Sequence, residues 1–209
     1  MCGRFVLTDL SLILEHFEVE ESALAALPAG DFLPGQAIPA IIQVNGNRRL
    51  GSLRWGFIPA WAKDPGVGHR MFNARAETLA EKPSFKEAFQ RRRCLIPAEG
   101  FYDWTGEKGS KQAVRFRLAS GEPFALAGLY ETWKSPSGEK IHTCTIVTTE
   151  ANALVAPVHD RMPVILTRQG EALWLDPAVR EPAALKSLFE PYPAGQMVLE
   201  AVPEPDPRG

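Results

Sequence analysis

Apolar residues recur along this chain in two periods, and the changes of period divide it into short elements. After Thr8, a candidate N-cap, Leu10, Ile13, Leu14 and Phe17 follow at i, i+3, i+4 and i+7, which predicts an amphipathic helix over TDLSLILEHFE. AIPAIIQV and RRLGSLRWGFI read as strands joined by the turn NGN at 45–47. In PSFKEAFQRR, Ser84 and Glu87 stand at capping-box spacing before Phe89, so a helix is expected to start there. AVRFRLAS alternates strictly, Val114, Phe116 and Leu118 on one face and Arg115 and Arg117 on the other. PFALAGLYETW and IHTCTIVTT give two more strands divided by the turn SPSGEK, and TTEANALVA reads as a short helix capped by Thr148. RMPVILT is a further strand, EALWLDP and EPAALKSLFE are late helical turns, and QMVLEAV is the last strand.

Strands come in runs with short helices between them, without the regular alternation of a parallel sheet, and no repeat or Gly/Ser-rich linker divides the chain. The pattern predicts one α+β domain over residues 1–203, a mainly antiparallel, barrel-like sheet with short peripheral helices, followed by a polar tail at 204–209. With 45% apolar and 23% charged residues, the 209-residue chain has the composition of a globular protein able to bury a core. No run approaches the ~18–20 apolar residues of a membrane span, and no basic segment followed by an apolar run marks a secretory signal. Cys2, Cys94 and Cys144 are odd in number and far apart, which argues against a disulfide framework and for a reducing, cytoplasmic setting. Their spacing offers no metal site, and neither metal nor cofactor is expected. Cys94 and Cys144 read as core residues.

A net charge of −2 and a pI near 6.1 exclude binding of nucleic acid by the overall field, which favours domains with pI above about 9. Any such contact has to be a local patch. One residue carries unusual chemistry. Cys2 follows the initiator methionine, which is trimmed readily before a small residue. The new terminus is a 1,2-aminothiol, whose amine has an ordinary pKa of about 7.7–8.0 and whose thiol lies near about 8.5. The amine can form a Schiff base with an aldehyde, and the thiol can close on the same carbon to give a thiazolidine. Because one residue holds both nucleophiles, ring closure is intramolecular.

Four stretches concentrate reactive or recognition residues: MCGRF (1–5), RWGFIPAWAKD (54–64) with RMFNARAET (70–78), RRRCLIPAEGFYDW (91–104) and VHDRMPVIL (158–166). In this order they closely resemble the SOS response-associated peptidase (SRAP) family, also described as abasic-site processing, over nearly the whole chain. The resemblance implies a sensor of abasic sites in single-stranded DNA, acting as a monomer, that forms a covalent crosslink through Cys2 after Met1 is removed, and that associates with the nucleoid when bound. It also places Asn73 at the active site; read alone, that asparagine is a turn residue. His159, in HDRMPVIL, is a candidate proton shuttle, although without context it reads as a structural histidine. Asp103 stands where the family usually has glutamate, so the catalytic carboxylate is one methylene shorter here. At PAGDFLPGQ, Ala29, Gly30 and Asp31 replace a family triplet resembling Arg-Tyr-Asn, at the expected loss of one DNA contact.

Arg4, Arg70, Arg75 and Arg161 flank the candidate centre and suit phosphate oxygens. Trp55, Pro59 and Trp61 offer surfaces on which a base can stack, with Trp55 the better core candidate and the other two expected at the surface. Arg91, Arg92 and Arg93 read as a solvated helix end. Two other readings stay open: a thiol (auto)peptidase using Cys2, His159 and Asn73, and a non-covalent single-stranded DNA-binding module.

Overall fold

The computed structural model describes residues 2–22, 27–107 and 110–203, so the tail at 204–209 lies outside them. In chain order the strands and helices are β1 (Phe5–Leu7), α1 (Leu10–His16), β2 (Glu21–Ser22), β3 (Gly30–Phe32), β4 (Ala37–Val44), β5 (Asn47–Trp55) and β6 (Asn73–Arg75). Then come α2 (Lys86–Arg91), β7 (Arg93–Ala98), β8 (Gly100–Thr105), β9 (Gln112–Leu118), β10 (Phe124–Lys134) and β11 (Lys140–Glu150). The chain ends with β12 (Arg161–Pro163), β13 (Ile165–Leu166), α3 (Arg168–Leu175), α4 (Pro182–Leu185) and β14 (Met197–Ala201).

The expected α+β domain with a barrel-like sheet is what forms. Strands β11, β10, β7, β4 and β5 are joined in that order, and β5 closes back on β11 in parallel through Thr143↔Arg54 and Cys144↔Trp55. All neighbours within this closed five-strand ring except that last pair are antiparallel. A second sheet runs β14–β9–β8–β1–β3. The two meet where Phe5 of β1 stacks on Phe32 at 5.0 Å and packs against Trp55 of β5 at 5.3 Å. One continuous core of buried aromatic and aliphatic side chains links them. The first strand, and with it the chain start, is therefore wedged between β3 and β8 at the seam of the two sheets.

Alternation is a sound guide where one face is buried. Val114, Phe116 and Leu118 face inward, while Arg115 and Arg117 face outward and both pair with Glu200 of β14. The hairpin of β4 and β5 turns on Asn45 and Gly46, whose φ values of 52° and 89° are both left-handed, as a two-residue hairpin requires.

Helix starts and one helix are corrected. Asp9, not Thr8, caps α1 by accepting the Leu12 N–H at 3.0 Å, because Glu99 holds the Thr8 hydroxyl at 2.7 Å and the Thr8 and Asp9 amides. The Ser84 box does not form: the N-cap of α2 is Phe85, and Glu87 pairs with Arg92. TTEANALVA is not a helix. Strand β11 continues through Glu150, and Asn152 starts a tight turn by accepting the Leu154 and Val155 N–H groups, both at 3.0 Å. The strand RMPVILT is split, since Val164 donates to Val147 and accepts from Ala127, moving the chain from β11 to β10.

Candidate active site

Cys2 precedes the first ladder residue yet is only 3% exposed. Burial pushes its thiol up to about 12, opposed by the positive charge of the amino terminus and by the Arg4 amide, which bonds the sulfur, and helped slightly by the negative charge of Asp103. Asp103 arrives on β8. The Tyr102 N–H donates to the Arg4 carbonyl at 3.0 Å, which carries the β1–β8 pairing toward the chain start and sets Asp103 beside Cys2. The Asp103 carboxylate is half-buried, and its Oδ1 accepts the Trp104 N–H at 2.9 Å.

Asn73 opens β6, which lies parallel against β11 with Asn73 opposite Ile146. The preceding carbonyl, of Phe72, accepts three N–H donors: Trp55 Nε1 at 2.8 Å, Asn73 Nδ2 at 3.0 Å and the Ile146 amide at 3.1 Å. Turning the Asn73 amide over would face two oxygens together, so its orientation is fixed. Its Oδ1 is consequently left buried with no hydrogen-bond partner, an acceptor awaiting a donor.

His159 lies on the other flank of β11, after the Asn152 turn, with its N–H on the Val155 carbonyl at 3.0 Å. Its Nδ1 accepts the Arg161 N–H at 2.9 Å and sits 3.0 Å from Asp160 Oδ1. Neutral, the ring therefore carries its proton on Nε2; protonated, Nδ1 has a carboxylate ready. Arg161 reaches across to Glu77 in a two-pronged pair and to the Thr148 carbonyl at 2.7 Å. Beside it opens a cavity of about 500 Å³ lined by Arg75, Glu150, Ala151, Ala156, Asp160 and Arg161. Phe5 packs against Trp55, and Trp55 lies edge-on to Phe72, the neighbour of Asn73, at 6.2 Å.

The expected surface residues divide. Trp61 is 67% exposed, and Arg70 and Arg75 are exposed. Pro59, expected at the surface, is buried, and so are Trp55 and Arg4. Trp55 fills the seam between the sheets, and Arg4 is paired with Asp31 at 2.6 Å. Arg161 is largely buried and bound to Glu77. Asp31 and Glu77 were missed as partners. A carboxylate 27 or 84 residues from its arginine leaves no signal in the spacing.

The match to known proteins covers this whole assembly. A family model described as SOS response associated peptidase (SRAP) matches residues 1–205. The chain belongs to the SRAP family. This SRAP protein is 47% identical over 205 residues to the abasic site processing protein YoqW of Bacillus subtilis, across 94% of this chain and 90% of that relative. It is 31% identical over 153 residues to the abasic site processing protein HMCES of Xenopus tropicalis, across 62% of this chain and 45% of that longer protein. A crystal structure of a Bacteroides thetaiotaomicron protein superposes with a TM-score of 0.89 at 25% identity, covering 97% of this chain and 93% of the other.

Proposed function

We propose that this SRAP protein recognises abasic sites in single-stranded DNA and, once Met1 is removed, captures them as a thiazolidine on Cys2. The observation that carries the reading is the burial of residue 2, only 3% exposed and within the field of the Asp103 carboxylate, where a chain end ordinarily frays. The names of the relatives, abasic site processing proteins, support the substrate.

With Met1 in place the buried thiol is pushed up to about 12; once Met1 is gone, the free amine, of ordinary pKa about 7.7–8.0, acts first. Its lone pair attacks C1′ of the ring-opened sugar, and the carbinolamine loses water to give an imine. His159 delivers the proton that leaves with that water. The thiol then adds to the imine carbon: the S–C1′ bond forms, the C=N electron pair returns to nitrogen, and the thiol proton passes through Asp103 to that nitrogen. One water is lost overall and no oxidant is needed. Asn73 Oδ1 accepts from the sugar hydroxyl or the amine. Arg70 and Arg75 meet phosphates, and Trp61 stacks on a base. A thiol peptidase would need a thiolate, which the burial of Cys2 disfavours.

The test mixes the purified protein with single-stranded DNA bearing one abasic site. A crosslink that survives denaturation, is absent with intact DNA and is lost in Cys2→Ala supports the reading. Peptide turnover without a crosslink sinks it.

A further inference from the structure

Cys2 lies outside the strand ladder, which starts at Phe5, so something other than sheet pairing holds it. That anchor is Arg4. Its amide bonds the Cys2 sulfur, and its carbonyl accepts the Tyr102 N–H at 3.0 Å. Its guanidinium, on a residue 2% exposed, donates to Asp31 Oδ2 at 2.6 Å. The same guanidinium lies 5.7 Å from the centre of the Tyr102 ring. The other oxygen, Asp31 Oδ1, accepts the Tyr102 hydroxyl at 3.1 Å. Tyr102 thus touches both the main chain and the side chain of Arg4, and Asp31 joins the Arg4 guanidinium to the Tyr102 hydroxyl.

We infer that Asp31 is a positioning residue for Cys2, acting through Arg4; for the crosslinking step this rests on the function proposed above. A buried guanidinium deprived of its carboxylate is left uncompensated, which is strongly unfavourable. In Asp31→Asn the Arg4 side chain turns toward water and its backbone follows. Cys2 then loses the Arg4 N–H and its burial. A contrasting role for Arg4, as a phosphate ligand that Asp31 withholds from DNA, has the opposite signature.

The experiment uses the full chain lacking Met1, as parent, Asp31→Asn, Asp31→Glu and Tyr102→Phe. Iodoacetamide labelling at Cys2, located by mass mapping and done without DNA, reports how firmly the terminus is held. Crosslinking against abasic single-stranded DNA gives a rate at saturation and a half-saturating concentration. In Asp31→Asn, labelling is expected to rise about fivefold as the sulfur becomes accessible. The saturated crosslinking rate is expected to fall about tenfold, because a misplaced reacting group is costly. The half-saturating concentration stays the same, and Asp31→Glu recovers part of the rate.

Unchanged labelling in a folded Asp31→Asn overturns the inference. So does tighter binding of intact single-stranded DNA with a salt slope steeper by about 0.7, the mark of one added phosphate contact. Should Asp31→Asn fail to fold by circular dichroism, Asp31→Glu, which keeps the charge but shifts the carboxylate by one methylene, decides by the same labelling: faster than the parent supports, unchanged overturns. Tyr102→Phe, which keeps the ion pair, is expected to lie between the parent and Asp31→Glu. A parent protein that forms no crosslink defeats the proposed function, while labelling still decides for or against Asp31.

Discussion

Arg161 and Glu77 grip each other through two hydrogen bonds, at 2.7 and 2.9 Å, across 84 residues of sequence. Glu77 follows the strand that carries Asn73, and the Arg161 amide holds His159, so this pair ties the two flanks of β11 together.

The bonds from Arg161 hold the Glu77 carboxyl below its usual range. A depressed carboxyl stabilises the fold above its unfolded value of about 4.3, and that contribution is lost as pH falls through the lower folded value. Glu77 is half exposed, so the contribution stays under about 1 kcal/mol. Glu77→Gln is therefore expected to melt a few degrees below the parent at neutral pH, with slower crosslinking. The gap in Tm closes in acid, where the parent too has lost the pair. A gap that persists unchanged in acid assigns the loss to something other than the ion pair.

Asn73 separates folding from chemistry. The Phe72 carbonyl keeps two donors, from Trp55 and Ile146, when the Asn73 amide is removed. Asn73→Ala should therefore cost at most about 1 kcal/mol in urea unfolding, yet lower crosslinking by about tenfold or more. Asn73→Asp sets a carboxylate oxygen against the Phe72 carbonyl and is expected to be the less stable of the two. The reverse order of stability would mean that the amide is oriented the other way.

How much of this was legible depends on whether a signal is local. The hairpin of β4 and β5 and the face of β9 follow from alternation and from Asn45-Gly46, so they are read directly. Cys2 stands out because its chemistry is intrinsic to position 2, and Asn73, Asp103 and His159 came from motif resemblance. Ser84 is a local signal that does not form its cap, and Thr8 is one that a tertiary contact overrides, since Glu99 captures its hydroxyl. Asp31 and Glu77 could not be read, because their meaning is given by arginines brought from elsewhere in the chain. Arg93 shows the same limit: a basic run reads as a solvated helix end, but side-chain direction is settled by what packs above it.

In fact Arg93 is buried and donates to five carbonyls, those of Phe89, Gln90, Trp174, Asp176 and Val179. It satisfies the open ends of α2 and α3 together, where backbone acceptors have no helical partner. Arg93→Met, of similar length, removes all of these donors from the helix ends and is expected to cost about 3 kcal/mol or more in chemical denaturation. Arg91→Ala, two residues earlier and exposed at the end of α2, should change stability by less than about 0.5 kcal/mol.

The two tryptophans flanking the RWGFIPAW segment have opposite fates. Trp61 is exposed on a loop that Trp133 Nε1 pins through the Ala62 carbonyl at 2.7 Å, whereas Trp55 is fully buried. Trp61→Ala should leave Tm unchanged and weaken single-stranded DNA binding by about 1–3 kcal/mol, the worth of one stacked base. Trp55→Ala should instead cost about 3–5 kcal/mol of stability. Because few arginines are exposed around the site, the salt slope of binding should match only a few phosphates. A steep slope, or a Trp61→Ala protein that binds normally, would place the DNA on another face.

Residue 2 must contribute both its nitrogen and its sulfur. With one glycine left ahead of Cys2, the thiol is intact but the Cys2 nitrogen is an amide, and no five-membered ring can close. That protein is expected to show no adduct by intact mass after denaturation. Cys2→Ser keeps the amine, so borohydride should trap its Schiff base even though the adduct hydrolyses without reductant. In the form that retains Met1, iodoacetamide labelling of Cys2 should rise through pH 10 without a plateau, since burial sets the thiol at about 12. A plateau near the ordinary thiol value of about 8.5 would show that residue 2 frays like any other chain end. The sheltered position beside Asp103 would then not be the one that reacts.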